Sequence, residues 1–174
     1  MSRLCPVTLV LGGARSGKSA HAEHLVESQA GACLYLATAE AGDAEMAERI
    51  RHHRARRGAR WQTVEEPLDL AGTLRRLARP DAAVLVDCLT LWLSNLLGAG
   101  RDPAEEGRRL VETLGGLPGP VVLVSNEVGL GVHPANALAR RFVDEAGRLH
   151  QKVAGIAQSV IFMAAGLPLN MKGG

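Results

Sequence analysis

The stretch Gly12-Gly13-Ala14-Arg15-Ser16-Gly17-Lys18-Ser19 limits what this chain can fold into more than any other. It fits the spacing Gly-x-x-x-x-Gly-Lys-Ser/Thr of a phosphate-binding P-loop. The glycines let successive backbone N–H groups turn inward onto phosphate oxygens, the lysine adds a point charge, and the hydroxyl reaches Mg²⁺. Such a loop works in one setting, between a buried strand and the positive N-terminal end of a helix. Both flanks are present: Val7-Thr8-Leu9-Val10-Leu11 is an apolar strand-like run, and residues 19–28 carry Ala22, Leu25 and Val26 on one helical face. The reading is a nucleotide site in which residues 12–19 cradle phosphates, Lys18 acts on the reacting phosphate and Ser19 is a metal ligand.

Further apolar runs read as strands: Ala32 to Leu36, Trp61 to Val64, Ala82 to Asp87, Val121 to Ser125 and Val160 to Met163, with Leu167 to Met171 as a candidate edge strand. Helical patterns alternate with them. One starts near Asp43 as N-cap and carries Met46, Ile50 and Arg54; another is marked by Leu70, Leu74 and Leu77; a third, mostly buried, runs from Leu89 to Leu97. After a loop from Gly98 to Pro103, Arg108 to Leu114 is helical. A long helix from Asn136 to Ala157 offers Leu138, Phe142, Ala146, Leu149, Val153 and Ile156 as its buried face. This alternation predicts an α/β fold of the P-loop NTPase type, with a mainly parallel sheet covered by helices on both faces. The length of 174 residues suits a single catalytic domain spanning 1–174.

In such sheets ligands bind beyond the C-terminal ends of the strands. Asp87 ends an apolar run, which is how P-loop enzymes place the carboxylate that holds Mg²⁺ between nucleotide phosphates; a helix cap is the competing role. Asn126 and Glu127, just past another run, are site candidates set against ordinary turn chemistry.

The net charge of +2 argues against a nucleic-acid partner, because counterion-release binding needs a concentrated basic surface. The apolar stretch 82–97 is interrupted by Asp87, Thr90, Ser94 and Asn95 and falls short of the ~20 residues a membrane span requires. No signal-peptide pattern precedes the first strand, so membrane insertion is not expected and the expected location is cytoplasmic. Cys5, Cys33 and Cys88 are odd in number and widely spaced, which reads as small buried side chains in a reducing compartment.

His52-His53, followed by Arg54, Arg56, Arg57 and Arg60, is the least ordinary feature. As a solvated helix face it would need no further account. Beside a nucleotide site, however, a neutral imidazole can attack an α-phosphate to form a phosphoramidate, with arginines stabilising the developing charge. Adjacent helix positions point about 100° apart, so only one of the two can be the nucleophile.

Taken together, the loop at 12–19, Tyr35-Leu36-Ala37-Thr38-Ala39, the run Glu45 to His53, Trp61 to Glu65, Asp87-Cys88-Leu89-Thr90 and Ser125 to Gly131 resemble the bifunctional adenosylcobinamide kinase / adenosylcobinamide-phosphate guanylyltransferase family of cobalamin assembly. The resemblance covers nearly the whole chain. It implies phosphorylation of adenosylcobinamide with ATP or GTP, then GMP transfer from GTP through a guanylylated histidine, with Mg²⁺ as cofactor. His52 matches the guanylylated residue. Thr38, Ala39, Glu40, His53, Arg54, Ala55, Arg56, Glu65 and Asp87 fall where such enzymes contact GTP, and Ser19 and Asp87 where the metal would sit. Some members carry Glu in place of Asp87, a longer reach with the same charge. The resemblance also implies a homo-oligomer, a trimer. Two alternatives from the residues alone are a P-loop small-molecule kinase without guanylyl transfer and a nucleotide-gated binding protein.

Overall fold

A computed structural model describes Leu4, residues 6–29, 31–39, Gly58 and 60–173. Glu40, the segment expected to form a helix from Asp43, and the residues His52, His53, Arg54, Ala55 and Arg56 lie outside the described residues.

Among the described residues seven strands form one sheet: β1 (Val7–Gly12), β2 (Ala32–Ala37), β3 (Trp61–Glu65), β4 (Ala82–Asp87), β5 (Val121–Asn126), β6 (Ser159–Ala164) and β7 (Leu167–Lys172). The helices among the described residues are α1 (Lys18–Glu27), α2 (Leu70–Leu77), α3 (Leu89–Gly98), α4 (Pro103–Leu114) and α5 (Ala137–Ile156). Strand order is β3-β2-β4-β5-β1-β6-β7. Every pairing is parallel except β6 with β7, so the edge strand expected at 167–171 is present and antiparallel.

Because successive strand residues face opposite ways, each apolar run supplies two cores. Leu9, Leu36, Val84, Val86 and Leu123 pack with Leu70, Leu74, Trp92, Leu96, Leu110, Leu149 and Val153, so α2, α3, α4 and α5 cover one face. Val10, Tyr35, Leu85, Val122 and Val124 pack with Ala22 and Val26, so among the described residues α1 covers the other. Cys33 and Cys88 are buried free thiols, and burial pushes both thiols up.

Two expectations are corrected. The helix expected from Arg108 begins at Pro103: Asp102 caps it by accepting from the Ala104 N–H at 3.0 Å, Pro occupies the first turn, where no amide donor is needed, and Glu105 and Glu106 favour the positive helix end. Leu138, expected on the buried face of α5, is 67% exposed. The cause is length. Twenty helical residues span about 30 Å, whereas a six-residue strand spans about 20 Å, so the first turns of α5 overhang the sheet.

Candidate nucleotide site at the C-terminal sheet edge

The strand ends form one row. Glu65 and Asp87 both stand level with Ala37, Asp87 is level with Val124, and Asn126 and Met163 flank Gly12. With strands about 4.8 Å apart, β1 and β4 lie about 10 Å from each other across β5. The phosphate loop, Asp87, Asn126 and Glu127 therefore open onto one edge, together with Thr38 and Ala39 after β2.

Residues 12–19 have the shape their sequence demands. A Cβ on Gly12 would come within 2.5 Å of Ser16 Oγ and 2.6 Å of the Met163 carbonyl oxygen, so only glycine lets the chain turn there. Gly17 has φ +93° and Arg15 φ +56°, left-handed conformations that aim consecutive N–H groups to one side. Gly17 is also the N-cap of α1 and supplies no side-chain acceptor, which leaves the first N–H groups of the helix for an anion. Ser16 Oγ is buried without a hydrogen-bond partner. Lys18 Nζ donates to the Gly13 carbonyl at 3.0 Å, lying over the loop it serves. The turn between β6 and β7 braces the loop from behind, Gly166 N–H donating to the Ser16 carbonyl at 3.0 Å.

Around Asp87 the structure adds partners that sequence reasoning missed. Tyr35 Oη donates to Asp87 Oδ2 at 2.9 Å. Tyr35 is the only tyrosine of the chain, in an otherwise apolar run, which is the only signal it gave. Thr38, fully buried, donates its hydroxyl to the Cys88 carbonyl at 2.8 Å and accepts from the Cys88 N–H at 2.9 Å. That hydroxyl is engaged in fixing the turn after Asp87. Asn95 of α3 donates to the carbonyls of Thr38 at 2.7 Å and Pro67 at 3.2 Å. Thr90 accepts from the Asn126 amide at 3.2 Å, joining α3 to β5. Glu65 ends β3 on the same row, exposed.

Among the described residues no group of three or more His, Cys, Asp or Glu is placed to hold a metal. The oxygen donors Ser19 and Asp87 fit Mg²⁺, which keeps most of its waters and binds through one or two protein oxygens plus substrate phosphates. No described helix is long and apolar enough to cross a membrane. A groove of ≈ 540 Å³ between α3 and the overhang of α5 is lined by Ser94, Leu97, Asn136, Leu138 and Phe142, with no titratable side chain.

Comparison with known proteins agrees with this geometry. A family model described as cobinamide kinase / cobinamide phosphate guanyltransferase matches residues 8–171. The chain is 56% identical over 167 residues to the bifunctional adenosylcobalamin biosynthesis protein CobP of Pseudomonas aeruginosa, covering 95% of this chain and 96% of that one. It is 40% identical to the bifunctional adenosylcobalamin biosynthesis protein CobU of Escherichia coli K12, covering 94% and 98%. Among solved structures, a Pyrococcus horikoshii OT3 protein superposes with TM-score 0.59 at 11% identity over 98% of this chain and 88% of that one. EscN, the type III secretion ATPase of enteropathogenic E. coli, superposes with TM-score 0.60 at 12% identity, over 92% of this chain and 43% of that one. Those two share the fold.

Proposed function

The chain belongs to the cobinamide kinase / cobinamide phosphate guanyltransferase family, and we propose that it performs both reactions at one nucleotide site. It phosphorylates adenosylcobinamide with ATP or GTP, then transfers GMP from GTP to give adenosylcobinamide-GDP. The observation that carries the shared site is that the sequence holds a single P-loop for two nucleotide-dependent activities.

In the first step the inward N–H groups of 12–18 and Lys18 hold the triphosphate while the acceptor hydroxyl oxygen bonds to the γ-phosphorus and the nucleoside diphosphate leaves. In the second, a ring nitrogen of His52 bonds to the α-phosphorus of GTP and pyrophosphate leaves. A phosphate oxygen of adenosylcobinamide phosphate then takes the GMP and releases the imidazole. Arg54 and Arg56 offset charge on the phosphate oxygens, and Thr38, Ala39, Glu40, His53, Ala55 and Glu65 complete the nucleotide contacts. Ser19 and Asp87 would hold Mg²⁺, which when bound neutralises phosphate charge. Support for a homo-oligomer, a trimer in this reading, comes from Leu167, Leu169 and Met171, an exposed apolar row on β7, the edge strand whose outer side has no strand neighbour among the described residues. The enzyme works in the cytoplasm.

The test is GTP labelled at the α-phosphate, incubated with protein and Mg²⁺. A His–GMP bond is a phosphoramidate, so label should be lost in acid and kept in alkali. His52→Ala should lose label and GMP transfer yet still phosphorylate adenosylcobinamide, whereas Lys18→Ala should lose both activities while staying folded. Label on His53, or none on a protein that binds GTP, removes the guanylylated His52. Near-normal GMP transfer by Lys18→Ala removes the shared site.

A further inference from the structure

Behind the site lies a buried side-chain network that the reactions above do not use. Ser125, in β5, and Glu127, just past its end, both reach His150 of α5. There His150 Nε2 lies 2.7 Å from Ser125 Oγ, and His150 Nδ1 lies 3.8 Å from Glu127 Oε2. Ser125 is fully buried and His150 7% exposed, while the Glu127 side chain keeps 22% of its surface open. Burial pushes the imidazole pKa down against the opposing pull of Glu127, so the ring is neutral. A neutral ring has one donor and one acceptor: Nδ1–H faces the carboxylate and Nε2 accepts the Ser125 hydroxyl.

The backbone of Glu127 is fixed just as firmly. β5 is the only strand between β1 and β4, so what leaves its end enters the edge between the phosphate loop and Asp87. Glu127 N–H donates to the Gly12 carbonyl at 3.0 Å, and Glu127 Oε1 accepts from the Gly129 N–H at 2.6 Å. Among the described residues its ion-pair neighbour is His150. The carboxylate is therefore held from behind and partly open to solvent, at the sheet edge that carries the phosphate loop.

We propose that Glu127 is the general base of the phosphorylation step and that His150 and Ser125 are its positioning residues; this rests on the two-reaction reading above. As the acceptor oxygen bonds to the γ-phosphorus and the bridging bond to the diphosphate breaks, the hydroxyl proton passes to a Glu127 oxygen and then to solvent. The second reaction needs no such base. Its acceptor is a phosphate monoester, largely ionised at neutral pH. The same chain thus meets one acceptor that must lose a proton and one that has already lost it, and Glu127 serves the first alone.

The experiment measures both steps on each variant: phosphorylation with cobinamide and ATP, and GMP transfer with cobinamide phosphate supplied directly with GTP. In Glu127→Gln the ratio of phosphorylation to transfer rate should fall about 100-fold or more through kcat, with KM for ATP moving less than about threefold. His150→Gln should lower the same ratio by roughly tenfold, since misplacing a catalytic group costs rate rather than nucleotide affinity, and its transfer rate reports that it has folded. An equal loss of both rates, or no loss, overturns the base assignment. Wild-type protein that fails to phosphorylate cobinamide overturns the two-reaction reading itself, and the base assignment falls with it for want of an acceptor.

Discussion

A single hydroxyl shows how much of the site lay beyond sequence reach. Asp87 was legible because an apolar strand ending in a carboxylate is a recognisable pattern. Its partner Tyr35 was not, since the bond that joins them spans 52 residues and two strands. His150 gave a fainter signal, standing four residues after Ala146 and beside Leu149 on the buried stripe of α5, where a polar ring needs a partner. Thr38, expected among the nucleotide contacts, has its hydroxyl bound to the backbone of Cys88. One prediction belongs at this scale. Asp87→Asn keeps size and removes charge, so it should lower both activities about 10–100-fold and raise the magnesium concentration for half-maximal rate. Magnesium titrations that superpose on wild type would leave Asp87 a turn residue held by Tyr35.

At the level of elements, strands were easier to read than helix ends. Five of the seven described strands are apolar runs buried on both faces or nearly so, and no helix competes for such short stretches once glycine, proline and polar residues bound them. Helix ends depend on caps, and Asp102-Pro103 with Glu105 and Glu106 is a start signal overshadowed by the glycines before it. The cap has a measurable weight. Asp102→Ala should destabilise the protein by about 1 kcal/mol, lowering the midpoint of thermal unfolding by about 2–4 °C; an unchanged midpoint would mean that the bond to Ala104 contributes nothing. The overhang of α5 escaped sequence reading for another reason: helical periodicity says which side of a helix is apolar, not where the sheet beneath it stops.

For the whole molecule, the phosphate loop is as stable as the sheet that carries it. Gly12 is bounded by β5 on one side and β6 on the other, and the loop is braced from the β6–β7 turn. Nucleotide at 100 times its dissociation constant should therefore stabilise the entire fold, by about 2.7 kcal/mol, and raise a single unfolding transition by roughly 5–10 °C. A melt that splits in two, with only one part shifted by GTP and Mg²⁺, would contradict this. The same connectivity governs how the chain is made. Val7 pairs with Val121 and Thr8 with Ser159, so during synthesis β1 waits for β5 before it gains one neighbour and for β6 before it gains the other. Through most of synthesis Val7 to Leu11 is an apolar strand with both edges open, the kind of segment that chaperones shield and that aggregates when they are scarce. The protein's most functional loop is attached to its most exposed nascent strand.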